Sequence, residues 1–141
     1  SLKSRIDEVK ELLSLKPVSD TPSGSLPRGY QQRLALGCAM IHTPEIIFLD
    51  EPTAGVDPVQ RRNFWNIIND LSVSGTTVFV TTHFLDEAEF CHRISFIVDG
   101  EIVAEDTPVL LKEMLKKAQN DNSDREPSLE DVFIYLAKRG K

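Results

Sequence analysis

Apolar positions along this chain change period several times, and each change marks an element. In residues 2–15, Leu2, Ile6, Val9 and Leu13 recur at three- and four-residue spacing between charged neighbours, which predicts an amphipathic helix whose stripe needs a partner. Residues 16–24 carry two prolines, a glycine and short polar side chains, the composition of a loop. A second helix is expected over residues 27–40. Beyond the His42-Thr43-Pro44 break, Ile46-Ile47-Phe48-Leu49 is a short apolar run ending in two acids, which predicts a strand buried on both faces. Asp57 followed by Pro58 has the form of an N-cap with proline at the first helical position, and Phe64, Ile67, Ile68 and Leu71 then share one face. Ser74-Gly75 ends that helix, and the β-branched residues 76–81 make the next strand. Strand, helix, strand in this order implies a right-handed crossover between two parallel strands.

A second group of elements follows. Residues 85–90 suit a short helix, and 94–98 meet 102–104 across Asp99-Gly100, a strong two-residue hairpin signal. Residues 109–117 are again helical in pattern, whereas 118–127 are polar and aperiodic and are expected to form a mobile linker. Ser128 with Asp131 forms a capping box for a helix whose Leu129, Val132, Phe133 and Leu136 share a face and must dock on something. No internal repeat is visible.

Composition narrows the class. With 40% hydrophobic and 27% charged residues, the 141-residue chain can bury one ordinary core. No apolar run reaches the ~20 residues that cross a bilayer, and the first residues carry no signal-peptide pattern, so a cytosolic setting is expected. A net charge of -6 opposes a general grip on nucleic acid, and no nucleic-acid partner is expected. Cys38 and Cys91 lack CxxC spacing and lie in apolar stretches, which fits buried thiols better than a disulfide or a metal site.

Candidate chemistry gathers at the strand ends. Asp50 and Glu51 fall at the C-terminal end of a parallel strand, the edge where α/β sheets bind ligands. An isolated acid pair there is more often a solvated strand end, but Pro52-Thr53-Ala54-Gly55-Val56-Asp57 follows at once. The next strand ends in Thr81-Thr82-His83, which brings a histidine to the same sheet edge. His42 and His92 read as structural, and Trp65 as part of a helix face.

These residues resemble the ABC ATPase family. Residues 46–51 look like its Walker B strand, Ala54-Gly55-Val56-Asp57 like its D-loop and His83 like its switch histidine, and order and spacing agree. Upstream, Leu26-Pro27-Arg28-Gly29-Tyr30 occupies the place of the family signature, and Gln31-Gln32-Arg33 matches its Gln-Arg-rich helix start. The resemblance implies an α/β fold, a partial P-loop NTPase with a parallel-sheet core, part of the helical subdomain, and a C-terminal hairpin and helix. It divides the chain into a helical-subdomain part at 1–40, the C-terminal half of the ATPase core at 41–117, and a linker with helix at 118–141.

Hydrolysis of a γ-phosphate needs a positioned water, a base or orienter, a divalent metal and donors for the transferred oxygens. Adjacent strand residues point to opposite sides, so the two carboxylates need not compete for one ligand. The resemblance implies that Asp50 holds Mg2+, that Glu51 polarises the attacking water and that His83 donates to the γ-phosphate of ATP. Leu26, Pro27, Arg28, Gly29 and Tyr30, with Gly55 and Asp57, then belong to the nucleotide-binding set. Nucleotide in this family lies between two subunits, which implies a second nucleotide-binding domain and a membrane-embedded transporter subunit as partners. The chain would then sit at the inner face of the membrane.

Two departures qualify the match. No GxxxxGK[ST] occurs, so the phosphate-binding loop is absent from these residues and the chain alone is expected to be inactive. In the family that loop lies upstream, so Ser1 is expected to be a fragment boundary inside the helical subdomain. Pro27 replaces the usual serine of the signature and Arg28 its first glycine, which removes one hydroxyl donor. Proline suits a first helical position, leaving the N–H groups of Arg28, Gly29 and Tyr30 at that helix end. Arg28 is either a replacement phosphate donor or a solvent-facing side chain. The signature and the tail around Pro127-Ser128-Leu129 look like exporter ATPases. Non-transport ABC ATPases and a degenerate binding cassette are the alternatives.

Overall fold

The computed structural model describes residues 1–120 and 124–139, which form two compact units, Ser1–Thr81 and a second from Thr82 onward. This division follows packing, whereas the expected boundaries at 40 and 117 follow motifs.

The first unit opens with α1, Leu2–Leu12, capped by the Ser1 hydroxyl accepting the Ser4 N–H at 3.3 Å. Val9 and Leu13 of the predicted stripe are buried, while Leu2 is exposed. Arg5 donates to the Met40 carbonyl at 3.0 Å, tying α1 to the end of α2, Arg28–Met40. The intervening loop contains two short 3-10 turns, Lys16–Val18 and Ser23–Ser25.

Pro27 is the N-cap of α2 and not its first helical residue, with φ -55 and ψ 149. The ring fixes only φ, so an extended ψ is as available to proline as a helical one, and the N-cap requires it. The consequence is local. Its carbonyl accepts the N–H of Tyr30 at 2.9 Å and of Gln31 at 3.1 Å, so the Tyr30 backbone N–H is already engaged, contrary to expectation.

β1, Ile46–Asp50, pairs in parallel with β2, Thr77–Thr81, in a register that sets Asp50 opposite Thr81. Between them α3, Pro58–Val73, starts as predicted, with Asp57 accepting the N–H groups of Val59 at 3.1 Å and Gln60 at 3.0 Å. Phe64, Trp65, Ile68 and Leu71 bury its face, and α3 packs on β2. The expectation of burial on both faces of β1 fails. Ile47 is buried, but Ile46 is 52% exposed, Phe48 74% and Phe79 58%, with the two phenylalanine rings 5.7 Å apart. Strand side chains alternate between faces, and the described residues cover one face of this pair of strands.

The second unit holds α4, Leu85–Ala88, shorter than expected, and the antiparallel pair β3, Ile94–Val98, with β4, Glu101–Asp106. Asp99 (φ 51) and Gly100 (φ 83) both adopt the left-handed conformation of a type I′ turn, which is why the Asp-Gly signal held. Helix α5, Pro108–Gln119, is capped by Thr107 and takes in Ala118 and Gln119, residues assigned above to the linker. Residues 124–128 are irregular, and the rest of that expected linker, 121–123, lies outside the described residues. Helix α6, Leu129–Arg139, docks on α4 and α5. Its Leu129 and Val132 join Phe96, Leu111 and Leu115 in one core, with Phe133 5.7 Å from Phe96.

The capping box of α6 is reciprocal: Asp131 N–H donates to Ser128 Oγ at 3.1 Å, and Ser128 N–H donates to the Asp131 carboxylate at 2.9 Å. Those contacts, the Ser128 N–H first and its hydroxyl second, hold the Asp131 carboxyl below its ordinary value of 3.8. A depressed folded value means that this stabilisation is complete above pH 3.8 and is lost as pH falls through the folded value. Asp131→Asn should therefore lower the stability of α6 at neutral pH and converge with the parent in acid, as followed by circular dichroism in an acid titration.

Candidate functional site

Asp50 ends β1 and Thr81 ends β2, so the parallel register itself makes them neighbours. The Thr81 hydroxyl donates to Oδ1 of Asp50, and the Thr81 hydroxyl oxygen itself accepts the Glu51 N–H at 3.1 Å. The Glu51 N–H also reaches the Thr81 carbonyl at 3.0 Å. One threonine thus fixes both members of the acid pair, a role that only the register reveals.

Glu51 lies just past the strand with φ 46, in the left-handed region that non-glycine residues adopt at a cost. Because Glu51 lies outside the strand, the alternation expected above to keep the two carboxylates apart does not apply to it. From there Ala54 N–H donates to Glu51 O at 3.2 Å and Val56 N–H to Thr53 O at 3.1 Å. Gly55 takes φ 73, and buried Thr53 and Val56 anchor the segment before Asp57 caps α3. One carboxylate oxygen of Asp57, Oδ1, is engaged by that cap.

The N-terminus of α2 lies against the same segment. Arg28 is exposed, with its Nε 3.9 Å from where a Gly55 Cβ would stand. Gly29 is seated on Gln60 of α3, and a Cβ there would come within 3.1 Å of the Gln60 Cβ. Gln60 Oε1 in turn accepts from Arg33 at 2.6 Å, and Arg33 is only 6% exposed with its guanidinium 5.4 Å from the Tyr30 ring centroid. Leu26 is buried and roots the segment, and Gln31 donates to its carbonyl at 2.9 Å. Gln60 was not singled out by sequence, the Asp57-x-x-Gln60 spacing being its one signal, and Arg33 was read only as part of the Gln-Arg-rich helix start. The N–H groups of Arg28 and Gly29 have no acceptor among the described residues, and a helix N-terminus with free donors suits an anion.

His83 belongs to the second unit, two residues beyond the end of β2, and is exposed, with its ring 4.1 Å from that of Phe84. Thr82 Oγ1 accepts the Phe84 N–H at 3.0 Å and donates to Glu87 Oε2 at 2.8 Å. His42 and His92 are exposed. Cys91, half-buried, has its thiol pushed up to about 11 by burial and then by the charge of Glu87, while Cys38 is exposed, against the expectation of two buried thiols.

No three His, Cys, Asp or Glu side chains converge on a metal position among the described residues. A hard cation that keeps most of its waters needs only one or two carboxylates, so Asp50, with Oδ1 engaged by Thr81 and Oδ2 remaining, fits Mg2+ better than a fully protein-caged ion.

A family model described as "ABC transporter" matches residues 1–54. The chain is 46% identical over 133 residues to the probable multidrug ABC transporter ATP-binding protein YbhF of Escherichia coli (strain K12), covering 94% of this chain and 22% of that protein. It is 49% identical over 90 residues to the fluoroquinolones export ATP-binding protein Rv2688c of Mycobacterium tuberculosis (strain ATCC 25618 / H37Rv), covering 63% of this chain and 30% of that protein. The dimeric post-hydrolysis structure of the ATP-binding cassette MJ0796, bound to ADP and Pi, superposes with a TM-score of 0.65 at 30% identity. That match covers 74% of this chain and 46% of the other. The chain therefore spans less than a third of the length of either curated relative.

Thr81→Val removes a donor to Asp50 and an acceptor for Glu51 together. Because both contacts are exposed, the expected loss is about 0.5–1.5 kcal/mol, read as a lower urea midpoint at constant slope, with Thr81→Ser close to the parent.

Proposed function

We propose that this chain, which belongs to the ABC transporter ATP-binding family, supplies the catalytic carboxylates and the signature helix of an ATP-hydrolysing subunit that drives export. The observation that carries this reading is the acid pair at the end of a parallel strand, with Asp50 and the Glu51 backbone both held by Thr81.

Each residue has a task that its surroundings suit. Glu51, held by its N–H on two Thr81 oxygens, is the group to orient a water and take its proton. Asp50 would hold Mg2+ through Oδ2, and His83 would donate to a terminal phosphate oxygen. When bound, magnesium and ATP supply the reacting phosphoryl group and the charge that stabilises its transfer. The N–H groups of Arg28 and Gly29 would receive phosphate at the start of α2, a location that favours an anion by about 0.3–1 kcal/mol, or ~2 when partly buried. Two backbone donors remain there, and Arg28 is exposed beside them.

The signature would serve the nucleotide of a second copy, so turnover requires two nucleotide-binding domains; the dimeric MJ0796 cassette supports that arrangement. No helix among the described residues is long and apolar enough to cross a membrane, and a membrane-embedded partner subunit would hold the ATPase at the inner face. Export is favoured by the Leu26-Pro27-Arg28-Gly29 form of the signature and by relatives named for multidrug and fluoroquinolone transport.

Two outcomes test the reading. The 141 residues hold no GxxxxGK[ST], so titration calorimetry of this chain with magnesium and ATP should register no micromolar binding; such binding at the Asp50 edge would refute the assignment. In the intact subunit, Glu51→Gln keeps the shape and loses the basic oxygen. Hydrolysis should fall by about 10²–10⁴-fold while ATP binding persists and a closed dimer accumulates in size-exclusion chromatography. Turnover near the parental rate would move the chemistry away from Glu51.

A further inference from the structure

Glu87 is a carboxylate only 1% exposed, on the single-turn helix α4, and the hydrolytic chemistry above makes no use of it. Taking a carboxylate out of water is expensive, and such a group persists where its hydrogen bonds fix something. Here those bonds form a ring. The Thr82 hydroxyl donates to Glu87 Oε2 at 2.8 Å, the Phe84 N–H donates to the Thr82 hydroxyl oxygen at 3.0 Å, and the Glu87 N–H donates to the Phe84 carbonyl at 3.0 Å. His83 is the residue that this ring encloses.

Each member has a reason to be what it is. A hydroxyl is the smallest side chain that donates and accepts at once, which Thr82 must do to link a carboxylate to a backbone N–H two residues on. The N-cap position of α4, Phe84, has no side-chain cap, so the turn into this single-turn helix depends on the ring for its geometry. Phe84, held by N–H and carbonyl alike, presents its ring 4.1 Å from the imidazole. The backbone is therefore tied on both sides of His83, and one wall of its rotamer space is fixed.

We propose that Glu87, acting through Thr82, is a positioning residue for His83, holding the imidazole where it can donate to a terminal phosphate oxygen. This rests on the switch-histidine reading above. Glu87 and Thr82 do not touch nucleotide in this scheme, so their loss misplaces a donor without removing a binding contact. A misplacement of about 1 Å costs up to about 100-fold in rate.

The test uses the intact subunit and steady-state ATP hydrolysis. Thr82→Val and Glu87→Ala should each lower kcat about 10–100-fold with KM for ATP unchanged, and Thr82→Ser and Glu87→Gln should restore most of it. Thermal melts identify any variant that fails to fold, and the two sites give independent routes to the same answer. The deciding comparison is a double-mutant cycle with His83→Ala: in that background neither Thr82→Val nor Glu87→Ala should slow hydrolysis further. Losses that multiply, or parental kcat in both single variants, overturn the positioning role. Parental turnover in His83→Ala would instead sink the switch-histidine reading, and the positioning role with it.

Discussion

Parallel pairing of two strands brings their C-terminal ends to one edge, and the register of β1 against β2 decides which residues meet there. With Asp50 opposite Thr81, a hydroxyl lands between a carboxylate that needs a donor and a backbone N–H that needs an acceptor. A slip of one residue would turn every side chain of β1 to the other face and bring Val80 in place of Thr81. The acid pair, the left-handed turn at Glu51 and the entry into α3 all depend on that alignment. The strain at Glu51 is of the size that surrounding bonds must over-determine, and its doubly held N–H is part of what does so.

The second constraint is close approach between α2 and α3. Gly29 leaves room for Gln60, Gln60 accepts from buried Arg33, and Asp57 caps the N–H of Gln60. The segment at 54–57 and the signature segment thus share one polar network, so a change at either is felt by the other. A larger residue at Gly29 would press on Gln60 as well as fill space at the helix end, and its effect on phosphate binding is inseparable from its effect on packing.

Most of the local structure was legible where one short motif dictates geometry: Asp57-Pro58 for a helix start, Asp99-Gly100 for a hairpin, Ser128 with Asp131 for a capping box. Long-range partners were not. Thr81 reads as one more β-branched strand residue until register places it, and Pro27 was read as a first helical residue although its ring leaves ψ open to the N-cap conformation it adopts. The apolar run at 46–49 carried the signature of a doubly covered strand, yet the described residues cover one face, leaving Ile46, Phe48 and Phe79 in solvent. Sequence reports the environment a strand is suited to, and the elements at hand decide whether that environment is present. The candidate site was legible as residue types in order; its supports, Thr81, Gln60, Arg33, Thr82 and Glu87, were not, because each acts across a turn or between elements.

Glu87 shows how far one buried charge reaches. Its carboxylate is stabilised by a hydroxyl donor, while its negative field acts on the neighbouring Cys91, whose thiol is pushed up to about 11 by burial first and by Glu87 second. Both effects oppose a thiolate, so at neutral pH Cys91 stays protonated and a poor nucleophile, which agrees with a structural and not a redox role. A carboxylate that raises its neighbour's proton affinity and costs desolvation is poorly explained by stability alone, since an apolar side chain of similar size would fill the space at no electrostatic cost. What an apolar side chain lacks is an acceptor for the Thr82 hydroxyl, and that acceptor closes the ring around His83.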